Sequence, residues 1–238
     1  MSNENKIAIV IPALNEGESI VGVVDEALSS NTCDVFVVDD FSSDSTAERA
    51  NESGATVITL ASPLGAWGAT QTGIRYALQQ GYRVIVTMDA DGQHPPGAVH
   101  ELVEPIKRGA AHFTIGTCPA RGSSMRHIAW WILRKLSGLK FADLTSGLRA
   151  YDHGAASLLA SRQASILDYQ DVGVLVLLKR YGYVGSEVPV SMARRLSGRS
   201  KVFSSWAKVF SYMAYSILLA VSKRGPRRMP PQQVGLLR

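Results

Sequence analysis

The segment VIVTMDADGQHPP, residues 84–96, is apolar up to Asp89, then places a second carboxylate at Asp91 and a glycine at 92. Two acids at i and i+2 where a strand breaks turn toward one point, and a cation between them relieves their repulsion. Carboxylate oxygens suit Mg²⁺ or Mn²⁺, ions that leave coordination positions to water and substrate phosphates. Asp89 and Asp91 therefore read as holders of a divalent metal, and the metal as the holder of a diphosphate. An EF-hand loop counted from Asp89 requires Gly at its sixth position and Glu at its twelfth, where the chain has His94 and His100. A phosphoaspartyl phosphatase continues D-x-D-G with Thr or Ser, whereas Gln93 follows here, four strands into the chain. A solvated acidic turn is the bland alternative.

Several elements must position these acids. KIAIVIPA, CDVFVVDD, ATVITLA and YRVIVTMDAD read as short apolar strands, separated by GESIVGVVDEALSS, SDSTAERANES and WGATQTGIRYALQQ, which have helical spacing. Such alternation predicts a mostly parallel sheet covered by helices on both faces. Ligands of these sheets bind outside the carboxyl ends of the strands. Those ends read PALNEG, DDFSSDS, SPLGAWG and DADGQH, and all four are expected on one edge. No G-x-G-x-x-G follows the first strand, which argues against a dinucleotide-binding domain. Further on, AAHFTIGT and YVGSEVPVSM read as strands, DLTSGLRAY as a loop entering a short strand, and SSMRHIAWWILRKLSG and YQDVGVLVLLKRYG as helices.

The 238 residues, 46% hydrophobic, suffice for one full core. Cys33 and Cys118 are far apart, which points to a reduced, cytoplasmic protein without a disulfide or zinc cluster. The net charge of +5 hides an asymmetry. Residues 1–190 carry all 20 acids against 15 Lys and Arg, whereas 191–238 carry ten Lys and Arg and no acid. A tail of this kind seeks phosphate on a lipid, a diphosphate or a nucleic acid.

The blocks IVIPALNEGESI, VFVVDDFSSDST, LGAWGATQTGIRYA, TMDADGQHPP, DLTSGLRAY and EVPVSMARRLSGRSK occur in the order seen in family 2 glycosyltransferases. Over about residues 5–201 the chain resembles the branch of dolichyl- and polyprenyl-phosphate sugar transferases and bacterial cell-surface polysaccharide transferases. The resemblance implies the GT-A nucleotide-diphospho-sugar transferase fold and metal-dependent, inverting transfer from a GDP- or UDP-linked sugar. It puts Pro12, Ala13, Asn15 and Glu16 against the nucleotide, Asp40 on the base, and Gly65 and Gly68 where backbone approaches the nucleotide. Helix capping is the competing role for Asn15 and Glu16, as a turn acid is for Asp40, and Trp67 reads as packing. Gln93 joins Asp89 and Asp91 at the metal, and Arg195 and Lys201 match the family's basic loop near the diphosphate. Asp143, Ser146 and Arg149 match the block D-x-x-S-G-x-R beside the acceptor.

A lipid-phosphate acceptor is already ionised near neutral pH, because the second pKa of a phosphate monoester is about 6, and it needs no base. A sugar hydroxyl acceptor needs one, and Asp171 is the candidate. Lipid-phosphate transferases of this branch often carry Gly-Ser-Arg where this chain has Gly116-Thr117-Cys118, a departure that counts against such an acceptor and leaves Arg121 or Arg126 as the candidate substitute clamp. Residues 202–238 form a separate unit in this reading, an amphipathic helix followed by Lys223, Arg224, Arg227 and Arg228. Its polar content favours an interfacial position on the inner face of the cytoplasmic membrane over a spanning helix, with packing on the catalytic body as the alternative. Its aromatics lie on the apolar stripe, so no nucleic acid is expected. Two functions compete with transfer to a membrane-linked glycan acceptor: a polyprenyl-phosphate monosaccharide transferase proper, and a non-catalytic nucleotide-sugar-binding membrane subunit.

Overall fold

A computed structural model describes residues 6–29, 32–94, 96–118, 124–165, 167 and 172–192, with backbone alone at 96 and 124–129. Strand β1, Ile7–Ala13, is buried at every position except Pro12, which is half-buried. It is parallel to β2 (Cys33–Asp39) on one side and to β4 (Val84–Thr87) on the other. A central parallel strand is covered on both faces, which is why its sequence is continuously apolar rather than alternating. Ala8 and Val10 enter one core with Phe36, Val38 and Ile85, and Ile9 and Ile11 enter the other with Val37 and Val86.

Among the described residues, seven strands form one sheet in the order β3-β2-β1-β4-β6-β5-β7. Strand β3 (Thr56–Thr59) runs parallel to β2, and β7 (Gly185–Pro189) parallel to β5 (Phe113–Thr117). Only β6 (Arg149–Asp152) runs against its neighbours β4 and β5. Helices α1 (Ile20–Leu28) and α4 (Val99–Lys107) contribute to the core on one face, together with Ala50 of α2 (Thr46–Glu52). Helices α3 (Gly65–Gln79), α6 (His153–Ala160) and α7 (Val172–Arg180) build the core on the other, which Trp130 and Leu133 of α5 (Ser124–Ser137) also enter. The mostly parallel sheet with helices on both faces agrees with the sequence reading.

Three details differ from it. Helix α4 has no counterpart in the sequence reading, and Pro105 lies inside it. Its buried Val99, Leu102, Val103 and Ile106 nevertheless recur at helical spacing. Helix α6 was also missed; the Asp152 carboxylate caps it by accepting the Ala155 N–H at 2.7 Å. Strand β4 stops at Thr87 instead of running on through the acids. Its last ladder partner on β6 is Arg149, and beyond it Met88 N–H reaches the Val10 carbonyl at 3.0 Å. The expected unit 202–238 lies outside the described residues, and no helix among those described is long and apolar enough to cross a membrane.

Candidate active site

From β1 the chain builds β2 and β3 on one side and then crosses to β4 on the other. The connections after β1 and β4 therefore lead to opposite sides, and open α/β sheets form their ligand crevice at such a topological switch point. Asp89 stands there. Its N–H donates to His94 Nδ1 at 3.1 Å, and His94 Nε2 lies 3.6 Å from Asp89 Oδ2. A neutral imidazole that accepts at Nδ1 carries its proton on Nε2, so the buried ring turns its N–H side toward the carboxylate. The Asp89 side chain is 48% exposed, whereas Asp91 is only 6% exposed and accepts the Gln93 N–H at 3.0 Å.

The loop entering β6 forms the wall against Asp89. A Cβ on Gly147 would lie 2.4 Å and 2.6 Å from the two Asp89 carboxylate oxygens, so only glycine lets the loop come this close. The Thr87 hydroxyl donates to the Gly147 carbonyl at 3.0 Å and fastens the loop to the end of β4. Arg149 donates from Nε to the Ser146 carbonyl at 2.9 Å and from Nη2 to the Leu144 carbonyl at 3.0 Å. Asp143 Oδ1 accepts the N–H and hydroxyl of Thr145 at 3.0 Å and 3.2 Å. Glu187 of β7 accepts the N–H groups of Ala142 and Asp143 at 2.6 Å and 3.3 Å. Asp143, Ser146 and Arg149 are all fully buried. Their observed part is to set the shape of the loop that leans on Asp89.

On the other side of the crevice, the loops after β1 and β2 are laced together. Asn15, at φ 52°, donates its N–H to Ser42 Oγ at 2.9 Å and accepts the Ser43 N–H at 2.8 Å. Glu16 N–H donates to Thr46 Oγ1 at 2.9 Å, and the Glu16 carboxylate accepts from Ser19 Oγ at 3.3 Å. Asp44 accepts the Gly17 N–H at 3.2 Å, the Thr46 N–H at 3.0 Å and the Thr46 hydroxyl. Partial burial pushes the Asp44 pKa upward, but these hydrogen bonds outweigh it and hold the carboxyl below its ordinary value. Pro12 is half-buried and Ala13 buried at the end of β1.

Asp40 is buried and receives the N–H groups of Leu64 and Gly65 at 2.6 Å and 2.9 Å, where the carboxylate meets the positive end of α3. Gly65 takes φ 77°, and a Cβ on Gly68 would lie 2.6 Å from Leu64 Cβ. Trp67 is buried and donates Nε1–H to the Ala164 carbonyl at 2.7 Å, a packing role. Asp171, Arg195 and Lys201 lie outside the described residues, as does the side chain of Arg126 on α5.

The structure thus brings the described residues expected at the donor, from Pro12 to Gly68, the paired acids and the 143–149 loop to one edge. Sequence reasoning missed His94, Gly147 and Glu187. His94 follows the acids directly and Gly147 lies inside the matched block, so position alone could have flagged both. Glu187 carries no local signal. Asp89, Asp91 and the Gln93 amide are hard oxygen donors suited to Mg²⁺ or Mn²⁺ completed by phosphate and water. Among the described residues no three His, Cys, Asp or Glu side chains converge as a protein-only metal cage.

The model of the family described as Glycosyl transferase family 2 matches residues 8–160. The undecaprenyl-phosphate mannosyltransferase of Micrococcus luteus is 31% identical over 83% of this chain and 87% of its own. The polyprenol monophosphomannose synthase of Mycolicibacterium smegmatis is 30% identical over 83% of this chain and 81% of its own. Among solved structures, the glucosyl-3-phosphoglycerate synthase of Mycobacterium tuberculosis, crystallised with Mn²⁺, uridine diphosphate and phosphoglyceric acid, aligns with TM-score 0.69. That alignment spans 94% of this chain and 80% of the other at 22% identity.

Proposed function

The chain belongs to glycosyl transferase family 2, and from that premise we propose that it moves a sugar, with inversion, from a GDP- or UDP-linked donor to a membrane-linked acceptor. The observation that supports this reading is the close approach of Gly147 to Asp89, which sets the 143–149 loop, read here as the acceptor side, against an acid read as the donor side. Pro12, Ala13, Asn15, Glu16, Asp40, Gly65 and Gly68 line the nucleotide side in this reading. Asp89, Asp91 and Gln93 hold a divalent cation, which when bound neutralises charge on the departing nucleoside diphosphate. Arg195 and Lys201 serve the same diphosphate.

A polyprenyl phosphate is the acceptor favoured here, because two relatives at 30% identity or more are named for transfer to such lipids. An ionised phosphate oxygen attacks the anomeric carbon directly, so no residue has to take a proton. Arg126 is the proposed clamp for this phosphate, and Asp143, Ser146 and Arg149 are proposed to shape the loop on the acceptor side. Were a sugar hydroxyl the acceptor, Asp171 would be the base. The basic segment 202–238 is proposed to rest on the inner face of the cytoplasmic membrane, where each exposed Lys or Arg adds about 1 kcal/mol at an anionic surface.

A panel of GDP- and UDP-sugars incubated with Mn²⁺ and undecaprenyl phosphate tests the reading. The expected product is a lipid phosphosugar formed from one donor. Consumption of a donor only when a lipid-linked saccharide is supplied would move the acceptor to a sugar hydroxyl, and a rate that then falls on Asp171→Asn would assign the base.

A further inference from the structure

Phe41 is a bulky residue held in the left-handed region, at φ 67°, and is 57% exposed. Both features are unfavourable for folding alone: a β-carbon is crowded at positive φ, and an exposed ring forgoes burial. The strain is imposed by its neighbours. Asp40 is clamped to Leu64 and Gly65 at the start of α3, while Ser42 Oγ accepts the Asn15 N–H and Ser42 N–H reaches Asp39 Oδ2 at 3.4 Å. The turn at Phe41 is therefore pinned to the β1 loop on one side and to the α3 loop on the other. Leu64, whose N–H is in that clamp, is itself 55% exposed. Among the described residues, Phe41 belongs to neither hydrophobic core and pairs with no other aromatic ring. Strain of this kind, stored at the carboxyl edge of a parallel sheet, marks a ligand contact.

We infer that the Phe41 ring is a stacking face for the nucleobase of the donor, with Leu64 completing an apolar lip around Asp40. The inference rests on the donor-site reading above and deepens it. Asp40 already receives two backbone N–H groups, so a flat apolar surface beside it supplies contact area that a carboxylate cannot. Stacking of this type is tolerant of base identity, and it leaves the choice between purine and pyrimidine to hydrogen bonds nearby.

The test compares Phe41→Gly and Phe41→Trp with the parent chain, by calorimetric titration of GDP, UDP and inorganic pyrophosphate, each with Mn²⁺. For the nucleotide that the parent binds more tightly, Phe41→Gly should weaken affinity about tenfold, the range of a single base–aromatic stack. Pyrophosphate binding should not change, and Phe41→Trp should restore the nucleotide affinity. Because glycine removes the positive-φ strain, the melting temperature of Phe41→Gly should equal or exceed that of the parent. Undiminished nucleotide binding in Phe41→Gly, an equal loss for pyrophosphate, or a lower melting temperature would each overturn the assignment. A parent that binds pyrophosphate with Mn²⁺ but neither nucleotide would overturn the base contact while leaving the metal site standing. A parent that binds none of the three would overturn the donor-site reading itself.

Discussion

At the scale of single residues, the site depends on how closely Gly147 and His94 hold Asp89. Gly147→Ala places a methyl group where the Asp89 oxygens now lie, so either the acid or the 143–149 loop must move. A displacement near 1 Å at a reacting centre costs about 100-fold in rate, and a fall of that order in kcat/KM is expected with the cooperative unfolding transition retained. His94→Phe removes the acceptor of the Asp89 N–H and should lower unfolding free energy by about 1–3 kcal/mol in denaturant titrations. His94→Asn, which can still present an acceptor, should recover part of the loss. The paired acids were legible because a charge pair at a strand exit is a local pattern. Gly147 and Asp89 were each visible, but their contact was not, since 58 positions of chain separate them and only the antiparallel entry of β6 brings them together.

At the scale of elements, the loops after β1 and β2 act as one body because Asp44 ties Gly17 to the first turn of α2. The folded-state pKa of Asp44 lies below its ordinary value of 3.8. Its stabilising share is therefore complete above that value and disappears as pH falls through the lower folded value. The melting-temperature gap between the parent and Asp44→Asn should be constant from pH 6 to 5, on the order of a unit or more above both values, and narrow toward pH 3. A gap that widens on acidification would reverse the assigned sign. Helix α3 is bolted to α6 by Gln71 Nε2–H on the Leu159 carbonyl and to the chain just after α6 by Trp67 Nε1–H on the Ala164 carbonyl, both at 2.7 Å. Trp67→Phe should cost about 1 kcal/mol or more in unfolding free energy, from the lost bond and the smaller ring. Strands were legible because continuous apolar runs bounded by polar ends report buried parallel strands. Helix α4 was hidden by Pro105, and α6 by a short, almost wholly apolar sequence that lacks helical contrast.

At the scale of the whole molecule, one sheet edge gathers segments spread from Pro12 to Pro189, and that convergence is what the alternating order of strands and helices announces. The charge asymmetry belongs to this scale as well. Removal of residues 202–238 should abolish co-sedimentation with vesicles containing anionic lipid while leaving Mn²⁺-dependent nucleotide binding unchanged; retained sedimentation would place the membrane contact elsewhere. Asp89 and Asp91 are proposed to hold a cation that in turn holds the donor diphosphate. The most direct measurement of this is calorimetric titration of GDP and UDP into the parent and Asp91→Ala, with and without Mn²⁺. Mn²⁺ should tighten one nucleotide by about tenfold or more in the parent, equivalent to about 1.4 kcal/mol, and have no effect on its binding to the variant. An equal dependence on Mn²⁺ in parent and variant would contradict the proposal.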